Sequence, residues 1–214
     1  MRLSASPTNR STDSAERPIS YLPVLDDAAL VSAIVQGRPG ATDALFRTYV
    51  DRVRKVIVSV LDIDNETEDI LQEVFIDAIR TIDRLEDPSL LRSWLTRIAV
   101  FKSREVIRRR TRRRWLRFVA PEQLEDLSNL QSSIDTPEAV LCTYLVLGEL
   151  SAQDRIVFGL RHISGMELTE VAQACQVSLA TVKRHLQHAE EKFARRASKY
   201  PALRKRLWGG RFRP

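Results

Sequence analysis

The chain has 214 residues, 34 Lys and Arg against 28 Asp and Glu, and a formal net charge of +6. That length holds one or two domains of the usual roughly 100–150 residues. A hydrophobic share of 43% excludes wholesale disorder, while 7 glycines and 7% aromatics argue against sandwiches, barrels and Gly-rich nucleotide folds.

Two cysteines, Cys142 and Cys175, cannot staple a secreted scaffold and read as reduced, intracellular thiols. No apolar run approaches the ~20 residues of a membrane helix, so no membrane insertion and a cytoplasmic location are expected. Residues 1–26 read as a disordered leader: Met1–Pro18 is rich in Ser, Thr, Arg and Pro and has no apolar signal-peptide core.

From Asp27 onward nearly every periodic segment has helical spacing. A short helix over Asp27–Gln36 stops at Gly37. Leu45, Tyr49, Val53, Val56 and Val60 form one stripe of a long helix. A third helix is expected over about Glu66–Leu85, burying Ile70, Leu71, Val74, Phe75, Ala78, Ile79 and Ile82. Its opposite face carries Glu66, Asp69, Glu73 and Asp77. Asp87-Pro88 breaks the chain and restarts it, with Pro at the first helical position of a fourth helix over about Ser89–Arg113.

The stretch Val119–Asp135 is acidic and weakly periodic, and residues 117–135 read as a flexible acidic linker. Thr136-Pro137-Glu138 opens a helix carrying Val140, Leu141, Tyr144, Leu145 and Leu147. Ser151-Ala-Gln-Asp154 resembles a capping box with Asp in place of Glu or Gln. Behind it runs a helix carrying Ile156, Val157, Leu160 and Ile163 and ending at Gly165, and two more helices follow at about Leu168–Cys175 and Leu179–Ala197. The expected architecture is all-α: two small helical domains, residues 27–116 and 136–199, joined by the linker and followed by a basic tail, 200–214.

Charge is segregated along the chain. Asp62–Asp77 holds seven acidic residues and no basic one, and Lys102–Arg117 nine basic and one acidic. Glu122–Glu149 holds six acidic and none basic, and Lys183–Arg213 eleven basic and two acidic. A single block is ordinarily a solvated helix face. Two basic blocks in an otherwise balanced chain favour a polyanionic partner.

In the second module, Val171-Ala172, Val177-Ser178, Thr181-Val182 and Leu186 reproduce the apolar spacing of a helix-turn-helix. Ser178 can cap the second helix, and Val182, Leu186 and Phe193 point it inward. The outward positions Ala180, Thr181, Lys183, Arg184, Gln187 and His188 are residue types that meet phosphates and base edges when a helix N-terminus enters a major groove. The same spacing fits an ordinary helical hairpin with a basic solvent face, and both readings stay open on these residues alone. Gln176 stands where the turn usually has Gly, and a left-handed residue there costs roughly 1 kcal/mol.

The strings Glu68-Asp-Ile-Leu-Gln-Glu-Val-Phe75 and Arg92-Ser-Trp-Leu-Thr-Arg-Ile-Ala99, the arginine run Arg108–Arg114 and the helix-turn-helix beyond an acidic linker occur in that order. Together they resemble the extracytoplasmic-function (ECF, group IV) sigma factors of bacterial RNA polymerase, over about Asp27–Lys199. The resemblance implies a sigma region 2-like bundle and a region 4-like helix-turn-helix. It implies binding to core RNA polymerase and promoter-specific initiation, with no catalytic residue, metal or cofactor.

By the resemblance, Asp69, Gln72 and Glu73 contact the clamp helices of the largest polymerase subunit. Arg97, Phe101, Lys102, Arg104 and Arg108 lie on the helix that handles the −10 element, and Ser178, Ala180, Thr181, Lys183, Arg184, Gln187 and His188 read the −35 element. Trp94 sits within Trp-Leu-Thr-Arg-Ile-Ala as a packing residue, and Phe101 occupies a place where family members carry a polar residue. Family members are commonly held inactive by an anti-sigma factor, which makes one a further expected partner.

No P-loop, Gly-rich dinucleotide fingerprint or Cys-x-x-Cys is present. His185 and His188 stand one helical turn apart with no carboxylate nearby in sequence, and read as polar positions on the recognition helix rather than metal ligands. Competing functions are a stand-alone helix-turn-helix regulator that works without polymerase and a helical interaction adaptor with incidental basic faces. The acidic helix and acidic linker favour the polymerase subunit.

Overall fold

A computed structural model describes residues 26–61, 66–119 and 138–203, with only the backbone of 114–119 described. The described residues form helices and no strand: α1 Asp27–Val35, α2 Ala41–Leu61, α3 Glu66–Thr81, α4 Leu91–Val119, α5 Glu138–Gly148, α6 Ala152–Phe158, α7 Leu168–Cys175 and α8 Leu179–Ala197. The all-α expectation holds. The leader, the linker beyond Val119, the Thr136-Pro137 start and the tail beyond Leu203 lie outside the described residues.

Local chemistry explains the boundaries. Asp26 caps α1 by accepting the Ala29 N–H at 2.7 Å, and Gly37 turns left-handed at φ 65° to leave the helix. The third helix ends sooner than expected, at Thr81, and tightens into a 3-10 turn over Ile82–Arg84. Asp87 accepts the Ser89 N–H at 2.9 Å over a 3-10 turn with Pro88 at its first position, and α4 follows. α4 continues to Val119, past the predicted end at Arg113 and into the first three positions of the predicted linker. Beyond α6 the chain widens into a π-helical turn, Gly159–Ile163.

The predicted stripe of α2 is buried throughout, as are Ile70, Leu71, Val74, Phe75, Ala78 and Ile82. Trp94 is buried in the core, where it packs rather than stacks on a ligand. Ile79, predicted to face inward, is exposed instead, and so are Leu141 and Leu145 of α5. Ile79 lies at the edge of its helix's apolar arc, whereas Leu141 and Leu145 share the exposed face of α5 with Glu138.

One apolar core runs across both modules. Leu45, Val53, Ile57, Val60, Leu95 and Ala99 belong to the same buried cluster as Ile156, Val157, Leu160, Val171 and Val182. A second cluster unites α5 with α8 through Tyr144, Leu147, Phe158 and Phe193, and the rings of Phe158 and Phe193 stack at 4.6 Å.

The C-terminus of α2 fixes the seam between modules. The last carbonyls of a helix have no partner within it, and here the second module supplies them. Tyr144 donates its hydroxyl to Val58 O at 2.8 Å, and Arg155 donates to Val60 O at 2.6 Å and Leu61 O at 2.8 Å. Between them Gly159 lies against the Ser59 carbonyl so closely that an added Cβ would stand 2.1 Å from its oxygen. Only glycine permits that approach.

Candidate nucleic-acid interface

The helix-turn-helix is built as the spacing predicts. Gln176 adopts φ 56°, ψ 45°, the left-handed conformation foreseen for the turn. Ser178 caps α8 by accepting the Thr181 N–H at 3.1 Å, with the two hydroxyls 2.9 Å apart. Val182 and Phe193 are buried and Leu186 is half-buried, which holds α8 against α6 and α7. That orientation leaves Ser178, Ala180, Lys183, Arg184, Gln187 and His188 exposed, with Thr181 half-buried. A capped helix N-terminus flanked by exposed cations is an anion-seeking surface. Gln187 donates to Glu191 at 3.1 Å, which steadies its amide on that face.

His185 and His188 acquire a partner that the sequence does not show. Asp154, from α6, lies 2.8 Å from Nδ1 of each ring, one carboxylate oxygen per imidazole. Asp154 therefore does not complete a capping box. Ser151 does cap α6, accepting the Asp154 N–H at 3.2 Å, but the Asp154 carboxylate turns to α8. Burial works against its ionisation, yet hydrogen bonds from His185, Ser151 and His188 hold it below the ordinary carboxylate range.

On α4, Arg97, Phe101 and Arg108 fall on one exposed stripe, with the Phe101 ring open to solvent. Cations beside an exposed aromatic face suit single-stranded nucleic acid. The other two −10 candidates differ: Lys102 lies off that stripe, and Arg104 lies on it, between Phe101 and Arg108, but is half-buried. Lys102 is turned toward α3, where it pairs with Asp77 at 2.7 Å and Glu73 at 3.4 Å. Hydrogen bonding to Asp77, followed by the pull of both carboxylates, raises its pKa against the opposing effect of burial. Arg104 is half-buried in the seam beneath α7, and its Nε is buried without a hydrogen-bond partner among the described residues.

Asp69, Gln72 and Glu73 are all exposed on α3, at the one-turn spacing of a single docking face. Part of the acidic block is already spent within the fold. Besides the Lys102 pairs, Glu66 receives Arg110 at 2.7 Å and Arg109 at 3.2 Å. The Arg110 hydrogen bond is the main reason the Glu66 carboxyl sits below its usual range. Adjacent acidic and basic blocks are thus partly each other's partners. Sequence reading missed Tyr144, Asp154, Arg155 and Gly159, whose roles depend on contacts between distant segments. The one available signal was the Ser151–Asp154 cap, in which Asp replaces the longer acid that reaches back.

Comparison with known proteins fits this geometry. A family model described as Sigma-70 region 2 matches residues 45–115, and one described as Sigma-70, region 4 matches residues 141–193. The chain is 27% identical over 183 residues to the ECF RNA polymerase sigma-E factor of Haemophilus influenzae, covering 78% of this chain and 93% of that protein. It is 25% identical to the RNA polymerase sigma-H factor of Pseudomonas aeruginosa, covering 77% and 90%. Among solved structures, CnrH in complex with the cytosolic domain of CnrY is similar at TM-score 0.59 and 21% identity, covering 82% of this chain and 99% of that one. The sigma factor RpoE of Bartonella quintana, in complex with the anti-sigma factor NepR, is similar at TM-score 0.54 and 20% identity, over 74% and 98%.

The chain belongs to the sigma-70 family, in its ECF group. It is accordingly a transcription initiation factor that binds core RNA polymerase and directs it to promoter DNA, in a family that works without catalysing a reaction itself. No helix among the described residues is long and apolar enough to cross a membrane.

Proposed function

We propose that the second module reads the −35 element with the N-terminal half of α8, through Lys183, Arg184 and Gln187, helped by Ser178, Ala180, Thr181 and His188. The first module docks on the polymerase clamp through Asp69, Gln72 and Glu73 and captures the opened −10 strand along Arg97, Phe101 and Arg108. The polymerase performs the chemistry in the cytoplasm, and this chain supplies address and melting. Arg104 joins the strand face once the seam with α7 opens, and Lys102 mainly orders the acidic face it pairs with. An anti-sigma partner is expected, because one of the solved structures cited above is described as a sigma factor in complex with an anti-sigma factor.

The observation that supports this reading best is α8 itself. Its apolar stripe is buried while its first three turns present two cations and an amide beside a capped N-terminus. Charge complementarity between the α3 face and a basic docking partner would set encounter rate and orientation.

The test is run-off transcription with core polymerase. Lys183→Ala with Arg184→Ala should remove −35 dependence and lower the salt slope of promoter binding by about two counter-ions. Asp69→Lys with Glu73→Lys should abolish core binding with helical content retained. Retained −35 dependence in the first variant would overturn the assignment of α8. Tight duplex binding by the chain without polymerase would favour the stand-alone regulator.

A further inference from the structure

Asp154 is 2% exposed and sits between two imidazoles of the recognition helix, with both of its oxygens engaged at 2.8 Å. An ionised carboxylate only accepts hydrogen bonds, so both Nδ1 atoms must carry hydrogen. In a neutral imidazole that leaves Nε2 as a bare lone pair at the far end of the ring. The side chain of His188 is 52% exposed and that of His185 26%. Phosphate oxygens and the guanine major-groove edge are acceptors as well. A neutral His188 held in this way has nothing to offer them, and contact requires a second proton on Nε2.

We infer that Asp154 is a positioning residue that makes −35 binding proton-linked: it fixes the tautomer of His188, and secondarily of His185, so that each ring reaches DNA only as an imidazolium. The inference rests on α8 being the duplex-reading helix. One carboxylate serves two rings. The first proton neutralises the buried charge, and the second leaves the cluster positive toward the duplex.

Other charged groups surround the cluster. On α8 they are Arg184 and Lys192, one turn either side of His188, with Glu191 between. From α4, Arg108 and Arg112 line the cleft beside Ser151. Just beyond α5, Glu149 pairs with Arg196. From α7, Glu170 pairs with Arg52, and Glu167, the cap before that helix, pairs with Arg161 of the π turn. The chain has 3 histidines. The third, His162, pairs with Glu190 at 2.8 Å and serves as the control.

Two measurements test this. In the free full-length chain, nitrogen NMR of the imidazoles should show the Nδ1–H form for His185 and His188 at pH 8, and the Nε2–H form for one of the two rings in Asp154→Asn, whose amide nitrogen donates where a carboxylate oxygen accepted. In reconstituted holoenzyme, binding should be compared between promoter fragments with and without the −35 element from pH 6 to 8. The affinity difference should fall by up to about tenfold per pH unit for one linked proton.

His188→Gln and Asp154→Asn should each flatten that slope to under about threefold, and His162→Gln should leave it unchanged. An Nε2–H tautomer in the wild-type chain, or wild-type slopes in both His188→Gln and Asp154→Asn, would overturn the inference. Failure of the α8 reading is seen separately, as retained −35 dependence in the Lys183→Ala, Arg184→Ala variant, and the tautomer measurement does not depend on it.

Discussion

Gly159→Ala probes the seam at its tightest point. The new Cβ would lie 2.1 Å from Ser59 O, 2.9 Å from Ser59 C and 3.4 Å from Val60 Cα, all backbone atoms of α2. No rotamer change can relieve such a contact, so α2 and the π turn must part by about 1 Å, against an overpacking cost of about 1–3 kcal/mol. The contacts that resist parting are the Tyr144 and Arg155 hydrogen bonds to Val58, Val60 and Leu61, each worth about 1 kcal/mol net, with the apolar surface around them.

A strain of that size shifts a closed–open equilibrium by about 5–150-fold toward the open form. The variant is expected to show a larger radius of gyration by small-angle X-ray scattering and faster amide exchange in α7. Arg104 would become exposed, and both modules would remain helical. An unchanged radius of gyration, with stability lost only within the second module, would refute the claim that the seam is the part that yields.

Two further outcomes follow from the same structure. Glu66 and Asp154 both have folded pKa values depressed below their unfolded ones. The unfolded chain therefore takes up protons first on acidification. The stability they contribute is full above the unfolded carboxylate values, near pH 4, and is lost as pH falls through the folded ones. Urea unfolding from pH 7 to 3 should show this loss, and Glu66→Gln should reduce it. Gln176→Gly should stabilise the chain by up to about 1 kcal/mol by relieving the left-handed strain, or about 2–4 °C in Tm. A lower Tm would mean that the Gln176 side chain contributes more than its backbone costs.

Much of the fold was legible because a helix's own period reports which of its faces is buried. The α2 stripe, the Ser178 cap, the inward Val182 and Phe193 and the left-handed Gln176 each follow from residues within a few positions of one another. Asp69, Gln72 and Glu73 could be placed on one exposed face for the same reason. The pattern fails at the edge of a buried face, as at Ile79, and where apolar residues stand on a helix's exposed side, as at Leu141 and Leu145.

What the chain determined by itself was the set of helices, the helix-turn-helix and the alternation of charge that a net +6 conceals. Which charges remain available was decided only by the tertiary structure. Lys102 and Arg109–Arg110 are drawn to the acidic helix, and Arg104 is drawn into the seam. Asp154 meets His188 across 34 positions, and Arg155 caps α2 across 95. A charged side chain takes the partner that packing sets beside it, and helix-to-helix register is a property of the assembled core rather than of any local run of residues.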